Sequence, residues 1–345
     1  MKLIELHILQ SFPVSCLNRD DVGSPKTALF GGVNRARLSS QCLKRAARVH
    51  AREHGEPERF QGIRSRFLLE AFSTALTGHG LTPDQVAEKA KSIAETLSKL
   101  EVKKKETDSD VTTAVFLSPS EIEQIAAAVA GGDDPKKAAK KATRLDAADI
   151  ALFGRMIAND PTLNVEGAAL FSHALSTHQT ANEVDFFSAV DDRKTDAADA
   201  GAGMIGTLEF SSATYYRYCA VNLSLLEKES HLGLLAKEER RQVVEAFLRA
   251  ILLAVPGARQ NSMNAATLPH TALGVVKEKG QPLQLINAFE KPVSAKQGGL
   301  ADASAERMKA HYGELNETWG LTPTAEVWLP ETNVDGFLKT LLSHV

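Results

Sequence analysis

The chain opens on alternation. In residues 2–12, KLIELHILQSF, Ile4, Leu6 and Ile8 fall on one face and Glu5 and His7 on the other, the period-two pattern of a sheet strand. Pro13, Gly23, Pro25 and the pair Gly31-Gly32 then interrupt any pattern and predict a loop over residues 13–34. A helical period begins at Ser39 or Ser40, either a good N-cap, and runs to about His54, with Gly55 as terminator. Leu43, Ala46, Ala47 and His50 form the expected inner face. Gln41, Lys44, Arg48 and Arg52 line another face at steps of three or four residues.

From about Arg59 to Thr180 the texture turns Ala-rich, charged and helical. LTPDQVAEKAKSIAETLSKL starts with Thr-Pro-Asp, and LSPSEIEQIAAAVAGG starts with Ser-Pro-Ser and closes on Gly-Gly, which are helix start and stop signals. The lysine runs 103–105 and 136–141 fall at helix ends or on helix faces. This block reads as a helical insertion. Beyond it, VDFFSAV at 184–190 predicts a strand, DDRKTDAADAGAGM a small, polar, Gly-rich tip, and IGTLEFSSATYYRYCAVNL at 205–223 a long strand. Together they make a hairpin that continues into the core. Residues 235–255 predict an amphipathic helix through Val243, Val244, Phe247, Leu248, Ile251 and Leu252, stopped by Pro256-Gly257. A strand at 272–279 and a helix at 304–319 follow. Outside the insertion the order is strand, helix, long strand, helix, strand. That order suits the split β-α-β layer of a ferredoxin-like α+β fold, which many RNA-binding domains use. No internal repeat is visible.

Composition narrows the class. The 345 residues suffice for one large domain or two to three smaller ones, and 43% apolar with 24% charged residues is ordinary for a soluble globular chain. Cys16, Cys42 and Cys219 lie far apart with no CxxC, which excludes a disulfide scaffold or a Cys-built zinc finger and suits a reducing cytoplasm. No apolar run of about 18 residues is present, so no membrane helix is expected. The N-terminus carries Glu5, His7 and Gln10 and lacks a small-residue cleavage site, so it reads as a strand and not a signal peptide.

Charge adds the first functional signal. The chain has 40 basic and 43 acidic residues, net −3, so it is no uniformly basic coat for nucleic acid. Yet Arg19, Lys26, Arg35, Arg37, Lys44, Arg45, Arg48 and Arg52 face only Asp20 and Asp21 within one short stretch. A surplus this local is a solvated helix face or an anion-binding patch. The Gly-Gly loop, the serines at the helix N-terminus and the lack of acidic partners one turn on favour the patch. First-turn amides carry the positive end of the helix dipole, and Lys44 and Arg48 are spaced to meet successive phosphates. Only 20 residues are aromatic (14 Phe, 2 Trp, 4 Tyr), and the first strand puts none on its sheet face. RNA binding here would hold the backbone and tolerate any sequence, instead of stacking bases on a sheet.

Catalytic signals are weak. His50 and His54 have the helical spacing of a metal pair without a third ligand. His173 and His178 are off one helical face. Asp20-Asp21 and Asp191-Asp192 are acid pairs that suit a Mg²⁺-dependent nuclease, or simply solvated loops. No GxSxG, Walker or GxGxxG motif occurs, and nothing supplies nucleophile, base and oxyanion donor together. Phe186 and Phe187 open the hairpin facing opposite ways, one toward the core and one free to wedge against a base.

The segment SCLNRDDVGSPKTALFGGVNRARLSSQCLKRAAR resembles the CasC family, the repeated backbone subunit of the type I-E Cascade complex in CRISPR immunity. IALFGRM at 150–156, FSHALSTHQTANEVDFFSAVDD at 171–192, GTLEFSSATYYRY at 206–218, VPGARQ at 255–260 and INAFEKPV at 286–293 continue the resemblance in order, whereas residues 60–145 match poorly. It implies a right hand: a modified RRM-like palm from 1–58 and 216–345, helical fingers from 59–180 and a β-hairpin thumb from 181–215. It implies RNA contacts at Arg19, Lys26, Ser39, Gln41, Lys44, Arg45 and Arg48. Arg35, Arg37 and Ser40 beside them, and Arg259 of VPGARQ, extend the expected set. Met156 matches a finger residue that wedges at a displaced base, and Phe187 and Ser188 match contacts at the base of the thumb, where the family often has Thr in place of Ser188. The implied partners are crRNA, target DNA through the guide duplex, neighbouring copies packed head to tail and other Cascade subunits, with no membrane. No cofactor and no catalysis are implied. A metal-dependent ribonuclease of the same superfamily is the alternative.

Overall fold

The computed structural model describes residues 1–101, 110–189, 204–294 and 299–345. The lysine run 103–105 and the Gly-rich tip over 191–203 lie outside the described residues. The chain begins with strand β1 (Leu3–Ser15), hairpin β2 (Thr27–Phe30) and β3 (Val33–Leu38), and helix α1 (Ser40–His54). The helical block carries β4 (Ile63–Ser65), α2 (Leu69–Thr77), α3 (Pro83–Leu97), β5 (Val115–Leu117), α4 (Pro119–Ala130), α5 (Pro135–Lys141) and α6 (Ala148–Phe153). Then come β6 (Ala169–Phe171), β7 (Ala174–Ser176), β8 (Glu183–Ala189), β9 (Met204–Asn222), α7 (Leu223–Leu226) and α8 (Lys237–Leu253). The chain ends through β10 (Thr271–Lys277), α9 (Gly299–Trp319), β11 (Ala325–Leu329) and α10 (Val334–Leu342).

One antiparallel sheet organises these elements, in the order β11-β10-β1-β9-β7-β3-β2, with β6 and β8 also paired to β9. β1 therefore lies between β9 and β10, as a split β-α-β layer requires. Ile4, Leu6 and Ile8 pack against α1 and α8 through Ala47, Ala51, Val244, Phe247 and Ile251. The opposite face, with Leu9, Tyr216, Tyr218, Leu273 and Val275, is covered by Leu285, Phe289 and Met308 of the segment leading into α9 and of α9 itself. Alternation in β1 thus does not mark a wet face, and both sides are buried. The polar positions are satisfied inside: Glu5 accepts from Tyr218 Oη at 2.7 Å and from Leu283 N at 2.8 Å and pairs with Lys277 at 2.5 Å. His7 Nδ1 lies 2.9 Å from Tyr216 Oη, and burial, reinforced by Lys277, pushes its pKa down to about 3, so the ring is neutral. Tyr216 and Tyr218 of β9 are thus covered and offer no stacking platform to bases.

The helical block has its own core, including Phe72, Leu76, Ile93, Leu97, Ile125 and Val129. Its start signals act as read: Thr82 with Gln85 and Ser118 with Glu121 form capping boxes. Residues 169–176, placed in the insertion by the sequence, instead add β6 and β7 to the large sheet. A second correction concerns residues 27–38, mostly read as loop. Phe30 pairs with Val33 around Gly31 and Gly32, both at positive φ (60° and 77°), so the two glycines turn a hairpin. Gly31 also fits closely under a neighbouring backbone, since a Cβ there would come 1.7 Å from Glu290 O. Gly31→Ala is expected to cost about 3 kcal/mol or more, read as a lower urea midpoint at unchanged slope.

Candidate nucleic-acid interface

The interface grows from the start of α1. Ser39 caps the helix, its hydroxyl accepting from Cys42 N, while its own N–H donates to Asn18 Oδ1 at 2.8 Å. No acidic residue occupies the first turn, so the positive end of the dipole is uncompensated there. Leu43, Ala47 and Ala51 are the buried residues of the helix, and α1 packs on α8. The inner edge is thus rotated from the expected one: Ala46 and His50 are only half-buried, because small Ala47 and Ala51 let α8 approach instead. Gln41 and Arg45 stand exposed, and Lys44 and Arg48 half-buried.

The neighbouring cations sort by what holds them. The turn before α1 is rigid: Asp20 Oδ1 accepts from Val22 N at 3.0 Å and Ser24 N at 2.9 Å, and a bridge joins Arg19 to Pro25. It projects Arg19 into solvent and leaves Lys26 half-buried. Arg37 Nε donates to Thr27 O at 3.0 Å, and Nη1 sits 3.2 Å from His173 Nδ1. Burial first, then the charges of Arg37 and Lys26, push the His173 pKa down. The exposed Arg259 belongs to the loop whose Gly257, Ala258 and Gln260 line one cleft with Arg45 of α1, so it lies on this side of the molecule too. None of Arg19, Lys26, Arg37, Lys44, Arg45, Arg48 and Arg259 makes an ion pair among the described residues.

Arg35 is the correction to the expected set. It is fully buried, and its guanidinium donates to Phe30 O, Ser176 O, Phe289 O and Glu290 O at 3.2, 3.0, 2.8 and 3.1 Å. It joins the β2–β3 hairpin to β7 and to the turn at 286–290 and presents nothing to a ligand. Ser39 is 5% exposed, Ser40 half-buried.

Met156 projects from the helical block at 71% exposure. Its neighbour Arg155 anchors it: Nη1 reaches both carboxylate oxygens of the buried Glu121 at 2.7 Å and Phe116 O at 3.3 Å. On β8, Phe187 is half-buried over Gly206, and Phe186 is the freer ring at 64% exposure, with Ser188 exposed. The base of this hairpin meets the Arg19 turn, since Asn182 donates to Pro25 O at 3.2 Å. Two residues escaped the sequence reading. Lys44 Nζ lies 5.5 Å from the centre of the Phe171 ring, and the Arg48 guanidinium carbon 5.1 Å from that of Phe116. No local signal announces either pair, because each ring comes from a distant strand.

A family profile described as "CT1975-like protein" matches residues 4–340. The chain belongs to the CT1975-like family. Comparison with curated protein sequences finds no match. Among solved structures, a chain of a "CRISPR RNA-guided surveillance complex, pre-nicking" superposes with a TM-score of 0.81 at 28% identity, covering 99% of each chain. A chain of a second "CRISPR RNA-guided surveillance complex" shares the fold, with a TM-score of 0.72 at 22% identity over 99% of this chain and 100% of that one. This CT1975-like protein is accordingly an α+β chain with a modified RRM-like palm, a helical finger insertion and a β-hairpin thumb.

Within the CT1975-like palm, desolvation lowers the pKa of both Lys44 and Arg48 from values far above neutrality. His50 and His54 stack edge to face, with ring centres 4.8 Å apart. Among the described residues no group of three or more His, Cys, Asp or Glu side chains is placed to hold a metal, and no helix is long and apolar enough to cross a membrane.

Proposed function

We propose that this protein is the non-catalytic backbone subunit of a type I-E CRISPR surveillance complex. It binds crRNA in the cytoplasm, repeats head to tail along it with other Cascade subunits, and presents the guide for pairing with target DNA. The observation that carries this reading is the set of cations along α1 and its flanking loops, Lys44, Arg45 and Arg48 among them, that make no ion pair among the described residues. A surface built this way reads the sugar-phosphate backbone, which is what a subunit accepting any guide needs, while base pairing supplies specificity. The closed sheet supports the same reading, because base stacking on Tyr216 and Tyr218 is blocked. The likeness to a chain of an RNA-guided complex points the same way.

The test is to incubate the purified protein with labelled single-stranded RNAs of unrelated sequence and Mg²⁺. Comparable affinity for all of them without cleavage is expected. Cleavage abolished by Asp21→Ala would instead make the protein a metal-dependent ribonuclease. A narrower expectation concerns Met156. Because it is 71% exposed, Met156→Ala should shift stability by less than about 0.5 kcal/mol. If it wedges against a base, the same change should weaken RNA binding about fivefold, measured by fluorescence anisotropy.

A further inference from the structure

The cations of α1 differ in what their donors do. Arg52 donates to Phe60 O at 2.7 Å and Gly62 O at 2.6 Å and pairs with Asp149 at 3.7 Å, so its fork is occupied. Lys44 and Arg48, one turn apart, have neither an ion pair nor a hydrogen-bond acceptor among the described residues. Each lies over an aromatic ring instead. A ring face attracts a cation through its quadrupole without consuming its strong N–H donors. The side chains are therefore oriented while every donor stays open to an anion.

The rings are themselves fixed. Phe171 packs with Phe153 and Phe247 at centroid distances of 6.1 and 6.3 Å. Phe116 is 8% exposed, clusters with Ala147, Ile150 and Val165, and its carbonyl accepts from Arg155, the anchor of the Met156 loop. Two separate strands, β6 and β5, thus supply rings to two cations on one helix. A half-buried cation is costly, and desolvation is the first cause of the lowered pKa of both, opposed at Arg48 by the charge of Asp149. The rings offset part of that cost without neutralising the charge.

We propose that Phe171 and Phe116 are positioning residues for nucleic-acid binding, holding Lys44 and Arg48 in the pose that meets successive backbone phosphates. This rests on the RNA-binding reading of α1. Phe116 also joins the finger loop bearing Met156 to the palm helix, so the two halves of the surface keep one spacing.

A double-mutant cycle tests it, using the full-length protein, a fluorescein-labelled oligouridylate and anisotropy at several salt concentrations. Lys44→Met is expected to weaken binding about tenfold and to lower the salt slope by roughly 0.7. Phe171→Leu, which keeps apolar bulk, should weaken binding about two- to fivefold with Lys44 present and have no further effect in the Lys44→Met background. Phe171→Tyr should retain affinity. Phe116→Leu with Arg48→Met repeats the cycle at the second pair, and thermal melts confirm folding of each variant. An effect of Phe171→Leu that is absent, or equal with and without Lys44, overturns the positioning role. Unchanged affinity and slope in Lys44→Met overturns the reading of α1 itself.

Discussion

Combining Lys44→Glu with Arg48→Gln should abolish RNA binding at physiological salt while the protein stays folded. Two charge-assisted phosphate contacts at roughly 1.5 kcal/mol each correspond to about a hundredfold in affinity, and the new carboxylate adds repulsion. Gln is chosen at 48 for a structural reason. The buried Asp149 carboxyl already has its pKa raised by desolvation, with Arg48 the foremost charge opposing that rise. A glutamate at 48 would set like charges together and damage the fold. Neither native cation is in an ion pair among the described residues, and Arg52 stays 3.7 Å from Asp149 to balance its charge, so melting temperature should move little. On the proposed function, the variant should also purify without nucleic acid. Retained affinity with an unchanged salt dependence would remove the phosphate role of α1.

Arg35→Leu should do the reverse. Fully buried, Arg35 donates to four carbonyls from three parts of the chain, and leucine removes all four donors at once. A loss of about 3–5 kcal/mol is expected, read as a large fall in the urea midpoint. Lysine should not rescue it, since one ammonium cannot reach carbonyls in the directions a planar fork does. Under conditions where the variant remains folded, its RNA affinity should stay near that of the native protein. An unchanged midpoint would show the four bonds to be without consequence.

These two outcomes mark the limit of what the amino-acid pattern discloses. Arg35 and Arg37 sit two apart on one strand, so alternation gives them the same face. What separates them is the 286–290 turn, delivered from far along the chain to close over Arg35 alone. The same remoteness hid the covering of β1: its alternation was legible, but α9 and the segment before it turn the polar side into buried Glu5 and His7. Period and capping were enough for α1, α8, β9 and the capping boxes of α3 and α4, because those signals are local. The β2–β3 hairpin was missed because Gly31-Gly32 reads equally as a breaker and as a two-residue turn. Strand β11 and helix α10 were missed as well, in a C-terminal region read no further than a helix at 304–319. The cationic stretch was plain in the sequence. The aromatic supports under Lys44 and Arg48 were not, since Phe171 and Phe116 reach α1 only through tertiary packing.

The most direct test is to crosslink the purified protein with ultraviolet light to any RNA that copurifies with it and map the attached peptides by mass spectrometry. Crosslinks concentrated in residues 37–48, with a second group around Met156, are the expected result. Crosslinks confined to the far side of the palm, or no associated RNA at all, would contradict the account.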